Sequence, residues 1–121
     1  MTRINVVPPR ELTDQHLVAE YRELPRVFGL SSNWLRRGRD TRIPKSYTLG
    51  KGHVAFFYDK VRFLEYRYAE LVAEMRRRGF KVQYPKPRHV PVNEDVLNDY
   101  TPTAKALAIN RQRISDRLNG K

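Results

Sequence analysis

The sequence predicts an all-α fold: a single compact domain over residues 1–121, with three main helices joined by long ordered loops. Three observations carry that expectation. Apolar residues recur with a 3.6-residue period in three segments, proline- and glycine-rich stretches separate them, and no run alternates apolar with polar as a half-buried strand would. With 40% hydrophobic and 11% aromatic residues, a chain of 121 has material for one core.

Pro8-Pro9 holds the chain extended, because proline fixes its own φ and biases its predecessor away from α. The first helix is therefore expected to begin near Leu12 to Asp14 and to run to about Arg37. Leu17, Tyr21, Leu24 and Phe28 form its apolar stripe, with Glu20, Glu23 and Val27 on an adjoining strip. Pro25 should kink it, since the ring displaces the carbonyl four residues back and offers no N–H. The second helix has the clearest stripe, Phe57, Val61, Leu64, Tyr68, Leu71 and Met75, and ends in Arg76-Arg77-Arg78-Gly79, cations on the C-terminal dipole followed by a glycine stop. The third is expected from an N-cap near Thr103 through Leu107, Ile114 and Leu118 to Asn119-Gly120, with Arg111, Arg113 and Arg117 on its polar faces. Residues 36–51 and the prolines at 85, 87 and 91 form the irregular connections.

Composition narrows the function. No cysteine is present, which removes disulfides, thiolate-ligated metals and thiol catalysis, and the three His lie far apart at 16, 53 and 89. No metal or organic cofactor is expected. No stretch approaches the roughly 20 apolar residues of a membrane span, and Met1-Thr2-Arg3-Ile4-Asn5 has no signal-peptide core, so a cytoplasmic protein is expected. The 24 Lys+Arg against 13 Asp+Glu give a net charge of +11, and 17 of those cations are Arg, whose planar fork suits phosphate. Nucleic acid is the partner this charge favours over an acidic protein or a membrane surface.

Candidate chemistry comes from carboxylates, His and the chain terminus. His16, Glu20 and Glu23 fall at i, i+4 and i+7 on one helical face, with Arg22 and Arg26 flanking Glu23. By spacing alone Glu23 is either a catalytic carboxylate or the partner of Arg26 in a local i,i+3 ion pair. The acidic residues of the second helix, Asp59, Glu65, Glu70 and Glu74, are expected to lie on a solvated face, with one or two ion pairs to Arg62, Arg67 and Arg78. Thr2 is small enough for Met1 to be removed, and an α-amino group with an ordinary pKa of about 7.7 to 8.0 is partly neutral at pH 7 and nucleophilic.

At these residues the chain resembles a known family. Thr2-Arg3-Ile4-Asn5, Glu11-Leu12, Asp14-Gln15-His16-Leu17 and Ala19-Glu20-Tyr21-Arg22-Glu23-Leu24-Pro25-Arg26-Val27-Phe28-Gly29 closely resemble the start of the phage-type pyrimidine-dimer DNA glycosylases, the ultraviolet-repair endonuclease V family. A second block agrees: Leu49-Gly50, Gly52-His53-Val54, Phe56-Phe57-Tyr58-Asp59-Lys60, Phe63-Leu64, Glu70-Leu71, Ala73-Glu74 and Arg78-Gly79-Phe80. Together they span about two thirds of the chain.

The resemblance implies an all-α glycosylase with abasic-site lyase activity on duplex DNA carrying damaged or modified bases, most directly cyclobutane pyrimidine dimers. The partner expected is duplex DNA, bound by a monomer. It implies that the Thr2 α-amine forms a Schiff base with the sugar, that Glu23 assists both bond cleavages, and that a base is flipped from the duplex. It assigns DNA contacts to Arg3, Gln15, His16, Arg22 and Arg26, and to Arg113 and Arg117 in the third helix. Two departures stand out: the family's aromatic, lysine-containing tail is not found after Asn119-Gly120-Lys121, and the connection between Gly29 and Leu49, which holds Trp34 and Arg36-Arg37, is a few residues shorter. The alternatives are therefore the same chemistry on another modified base, or a DNA-binding module of this fold without activity.

Overall fold

The computed structural model describes residues 3–120. Its core is crossed by an irregular segment rather than built of helices alone. Ile4, Asn5, Val6 and Val7 run through the core, all four buried, with no strand beside them. A buried extended backbone must still satisfy its polar groups, and here side chains do so. The Ile4 N–H donates to His53 Nε2 at 2.9 Å, and the N–H groups of Val6 and Val7 donate to Asn110 Oδ1 at 2.6 and 3.1 Å. The Ile4 carbonyl accepts from the Tyr47 hydroxyl at 3.1 Å, and that of Val7 accepts from Arg67 Nη1.

After a short 3-10 turn at Pro9–Glu11, α1 spans Asp14–Glu23 and α2 spans Pro25–Arg36. Thr13 caps α1 by accepting from the His16 N–H at 3.2 Å. The two helices occupy the stretch expected for one kinked helix. Leu24 between them keeps helical angles, but Pro25 has no N–H for the Tyr21 carbonyl, and the ladder breaks there. The expected stripe of Leu17, Tyr21, Leu24 and Phe28 is buried across the break. Because α2 continues to Arg36, Trp34 is a buried helical residue and not part of the connection to Leu49.

A second 3-10 turn, Ala55–Phe57, leads into α3, Val61–Arg77. Val61, Leu64, Tyr68, Leu71 and Met75 are buried as the periodicity requires. The helix ends in a Schellman motif: the Phe80 N–H donates to the Met75 carbonyl at 2.9 Å and the Gly79 N–H to the Arg76 carbonyl at 3.0 Å. Gly79 takes φ +86°, which an L side chain resists. Arg78 then reaches back to the Leu12 carbonyl at 2.7 Å and to Asp14 at 2.9 Å, fastening the end of α3 to the start of α1.

The last helix, α4, covers Ala104–Leu118, and Thr103 caps it by accepting from the Ala106 N–H at 3.0 Å. Its buried stripe is Ala106, Asn110 and Ile114, whereas Leu118 is 61% exposed, so the apolar face expected through Leu107 and Leu118 is rotated. Among the described residues the fold is all-α, with one isolated β-bridge between Lys60 and Leu97. None of the described helices is long and apolar enough to cross a membrane.

Candidate active site

Three elements converge on a cleft of about 500 Å³: the N-terminal segment through Arg3 and Asn5, α1 through Gln15, His16, Ala19, Glu20 and Glu23, and α4 through Arg113, Arg117 and Leu118. The i, i+4, i+7 spacing does place His16, Glu20 and Glu23 on one side of α1. Their environments differ sharply.

Glu20 is buried and committed to structure. Its carboxylate accepts from Arg67 Nε at 2.8 Å, from Arg67 Nη2 at 2.9 Å and from Asn5 Nδ2 at 2.8 Å. Asn5 in turn accepts from Asn110 Nδ2 at 2.8 Å, so one hydrogen-bonded chain joins α3, α1, the N-terminal segment and α4. Arg67 thus departs from the solvated face expected of α3: its side chain is 3% exposed and pairs with α1. Buried cations persist only when paired in this way. The local pairs do form, Arg62 with Glu65 and Arg77 and Arg78 with Glu74, and the two arginines pull the Glu74 carboxyl down to about 2.

Glu23 is partly buried at the cleft. Among the described residues it has no ion pair, so the local bond to Arg26 that spacing permits is not made. Around it the cleft is cationic. Arg113 is held below its ordinary pKa by burial and by neighbouring Arg3 and Arg117. His16 is likewise pushed down, first by burial and then by Arg113 and Arg117, which favours the neutral imidazole. His16 Nδ1 and Arg3 Nη1 are buried with no hydrogen-bond partner among the described residues. Like charges crowded at one opening, beside the positive end of α1, make it electropositive.

The remaining site residues of the sequence reading fall elsewhere. Arg22 is exposed and lines a different cavity, of about 480 Å³, on another side of α1 with Tyr21, Tyr68 and Tyr84. Arg26 is exposed on α2 and borders neither space. Thr2 lies outside the described residues. Sequence reasoning missed Asn5, Asn110, His53, Tyr47 and Arg67, which hold the cleft's components in place. A signal existed for two of them: Arg67 stands between Leu64 and Leu71, and Asn110 between Ala106 and Ile114, both inside an apolar stripe.

The family model for pyrimidine dimer DNA glycosylases matches residues 1–87. The chain belongs to this family. Pyrimidine dimer DNA glycosylases act in DNA repair, and membership makes DNA the substrate class. The matched stretch runs through α3 and its glycine cap, and contributes Arg3, Gln15, His16 and Glu23 to the cleft. Arg113 and Arg117 come from α4, beyond it.

Proposed function

We propose that this pyrimidine dimer DNA glycosylase is bifunctional, cleaving the glycosidic bond and then the strand, with the Thr2 α-amine as nucleophile. One observation carries the reading: Arg3, His16, Glu23, Arg113 and Arg117 share a single cleft, and Thr2 is bonded directly to Arg3. The cations suit the phosphates flanking a lesion, and they favour the neutral, nucleophilic form of a nearby amine.

In this scheme the amine lone pair attacks C1′, the C1′–N bond breaks, and the released base takes up a proton. Opening of the sugar ring leaves an imine between Thr2 and C1′. The Glu23 carboxylate stabilises the positive charge that develops at the sugar, then removes a C2′ proton. The electrons freed at C2′ form the C2′–C3′ double bond and expel the 3′ phosphate, and hydrolysis of the imine returns the amine. His16, whose Nδ1 has no partner among the described residues and whose pKa is pushed down by burial and by Arg113 and Arg117, is available to hydrogen-bond the substrate. Gln15 contacts DNA at the cleft, and Arg22 and Arg26 contact it outside.

Borohydride reduction of the imine tests this. A covalent adduct is expected with both an irradiated and an abasic duplex. Trapping on abasic DNA alone would mean that another modified base is the substrate, and no trapping on either would exclude the imine and with it the lyase step.

A further inference from the structure

The chain that follows Arg3 is anchored at several points. The segment at residues 4–7 donates through the Ile4, Val6 and Val7 N–H groups to His53 in the connection before α3 and to Asn110 on α4, and its Ile4 and Val7 carbonyls accept from Tyr47 in that connection and from Arg67 on α3. Asn110 is fully buried and uses its whole amide, accepting two N–H groups through Oδ1 and donating Nδ2 to Asn5. His53 is equally committed, accepting from Ile4 at Nε2 and bonded at 2.8 Å through Nδ1 to the Thr48 carbonyl. Burial of this backbone requires that its polar groups be paired, and pairing them with side chains on three separate parts of the fold does more than satisfy them. What the bonds add is a fixed axial position.

We infer that Asn110, His53 and Tyr47 are positioning residues for the reaction: they set the reach of the N-terminal amine by clamping the backbone two to five residues behind it. The inference rests on the reading that the Thr2 amine is the nucleophile. An extended chain covers at most about 3.5 Å per residue, so with the Ile4 N–H held the amine stays within about 7 Å of that point. Released back to Pro8, it would range over about 21 Å, a volume ~27-fold larger, and its effective concentration at the sugar would fall in proportion. None of the three residues lines the cleft, so none contacts the reacting atoms.

The test separates rate from affinity. Tyr47→Phe deletes one hydrogen bond to the Ile4 carbonyl and keeps the ring, while Asn110→Ala frees two N–H groups. At saturating protein and in single turnover, the borohydride-trapping rate on an abasic duplex should fall about 3-fold for each variant, well short of the ~27-fold limit for release back to Pro8, because the Ile4 N–H keeps its bond to His53 in both. The Kd for a duplex carrying a tetrahydrofuran abasic analogue should stay within about twofold of wild type, because the cations of the cleft are untouched. A merely structural role would lower the melting temperature and the trapped fraction but leave the rate constant of the folded molecules unchanged, and that result overturns the inference. If Asn110→Ala fails to fold, Tyr47→Phe decides alone. Acetylated wild-type protein run in parallel distinguishes the two levels: normal trapping by it overturns both the nucleophile and its positioning, whereas no trapping by it together with a wild-type rate for Tyr47→Phe overturns the positioning alone.

Discussion

Two carboxylates three residues apart on α1 are assigned opposite roles, and substitution separates them. Glu20 accepts two charge-assisted bonds from Arg67 and one from Asn5, in a site where the two side chains are 1% and 3% exposed. Replacing Glu20 with Ala leaves the Arg67 cation buried and unpaired, which typically costs about 3–5 kcal/mol. For a domain stabilised by about 5–15 kcal/mol, that is a large share. The melting temperature should drop on the order of 10–20 °C. Replacing both partners, as Glu20→Leu with Arg67→Met, removes the uncompensated charge and should recover most of the loss, although the Val7 carbonyl and Asn5 each lose a donor or acceptor. Urea unfolding of the two single variants and the double variant measures the coupling directly. A change below about 1 kcal/mol for Glu20→Ala would refute the assignment of Glu20 to the scaffold, as would a double variant no more stable than the worse single one.

Glu23→Gln should keep DNA affinity and stability but lose strand cleavage by on the order of 10²-fold or more in single turnover, because the amide preserves shape and removes the charge. Burial lowers the His53 pKa from an ordinary 6.5 to about 4, where its Nε2 must stay unprotonated to accept from Ile4. The unfolded chain therefore binds the proton first, and stability should fall as pH drops from about 6.5 to 4, by roughly 3 kcal/mol at most; urea titrations of His53→Gln should lack that slope. Binding to duplex DNA should weaken with salt at a log–log slope near −4 to −5, for roughly five phosphate contacts, and Arg117→Gln should flatten it by about one contact; a slope near zero would remove the electrostatic footprint.

The helices were readable because a 3.6-residue stripe and its punctuation are local. Pro25, Gly79 and Thr103 each act within four residues of themselves, and each marks a boundary where the structure has one. The extended segment was not readable. Four buried residues are too few to show a period, and their hydrogen-bond partners lie 49 and 104 positions away, at His53 and Asn110. The same limit separates the two glutamates. Spacing puts both on one face of α1, but only the fold shows that Arg67, 47 positions on, claims Glu20 and leaves Glu23 to the cleft. Arg113 and Arg117 were visible as polar-face cations of α4, and what brings them to Glu23 is the packing of α4 around Asn110.

The central claim is that the nucleophile is the terminal amine, and acetylating it tests this most directly. Acetylation removes the lone pair that condenses with the sugar and leaves every lysine of the chain chemically available if the modification is confined to the terminus. Mass spectrometry verifies the site, and borohydride trapping on an abasic duplex reads the result. No adduct is expected from the acetylated protein, against full trapping by the free amine, with equal affinity for the duplex in both. Trapping at the wild-type rate by acetylated protein would place the imine on a lysine such as Lys51 or Lys60 and contradict the account.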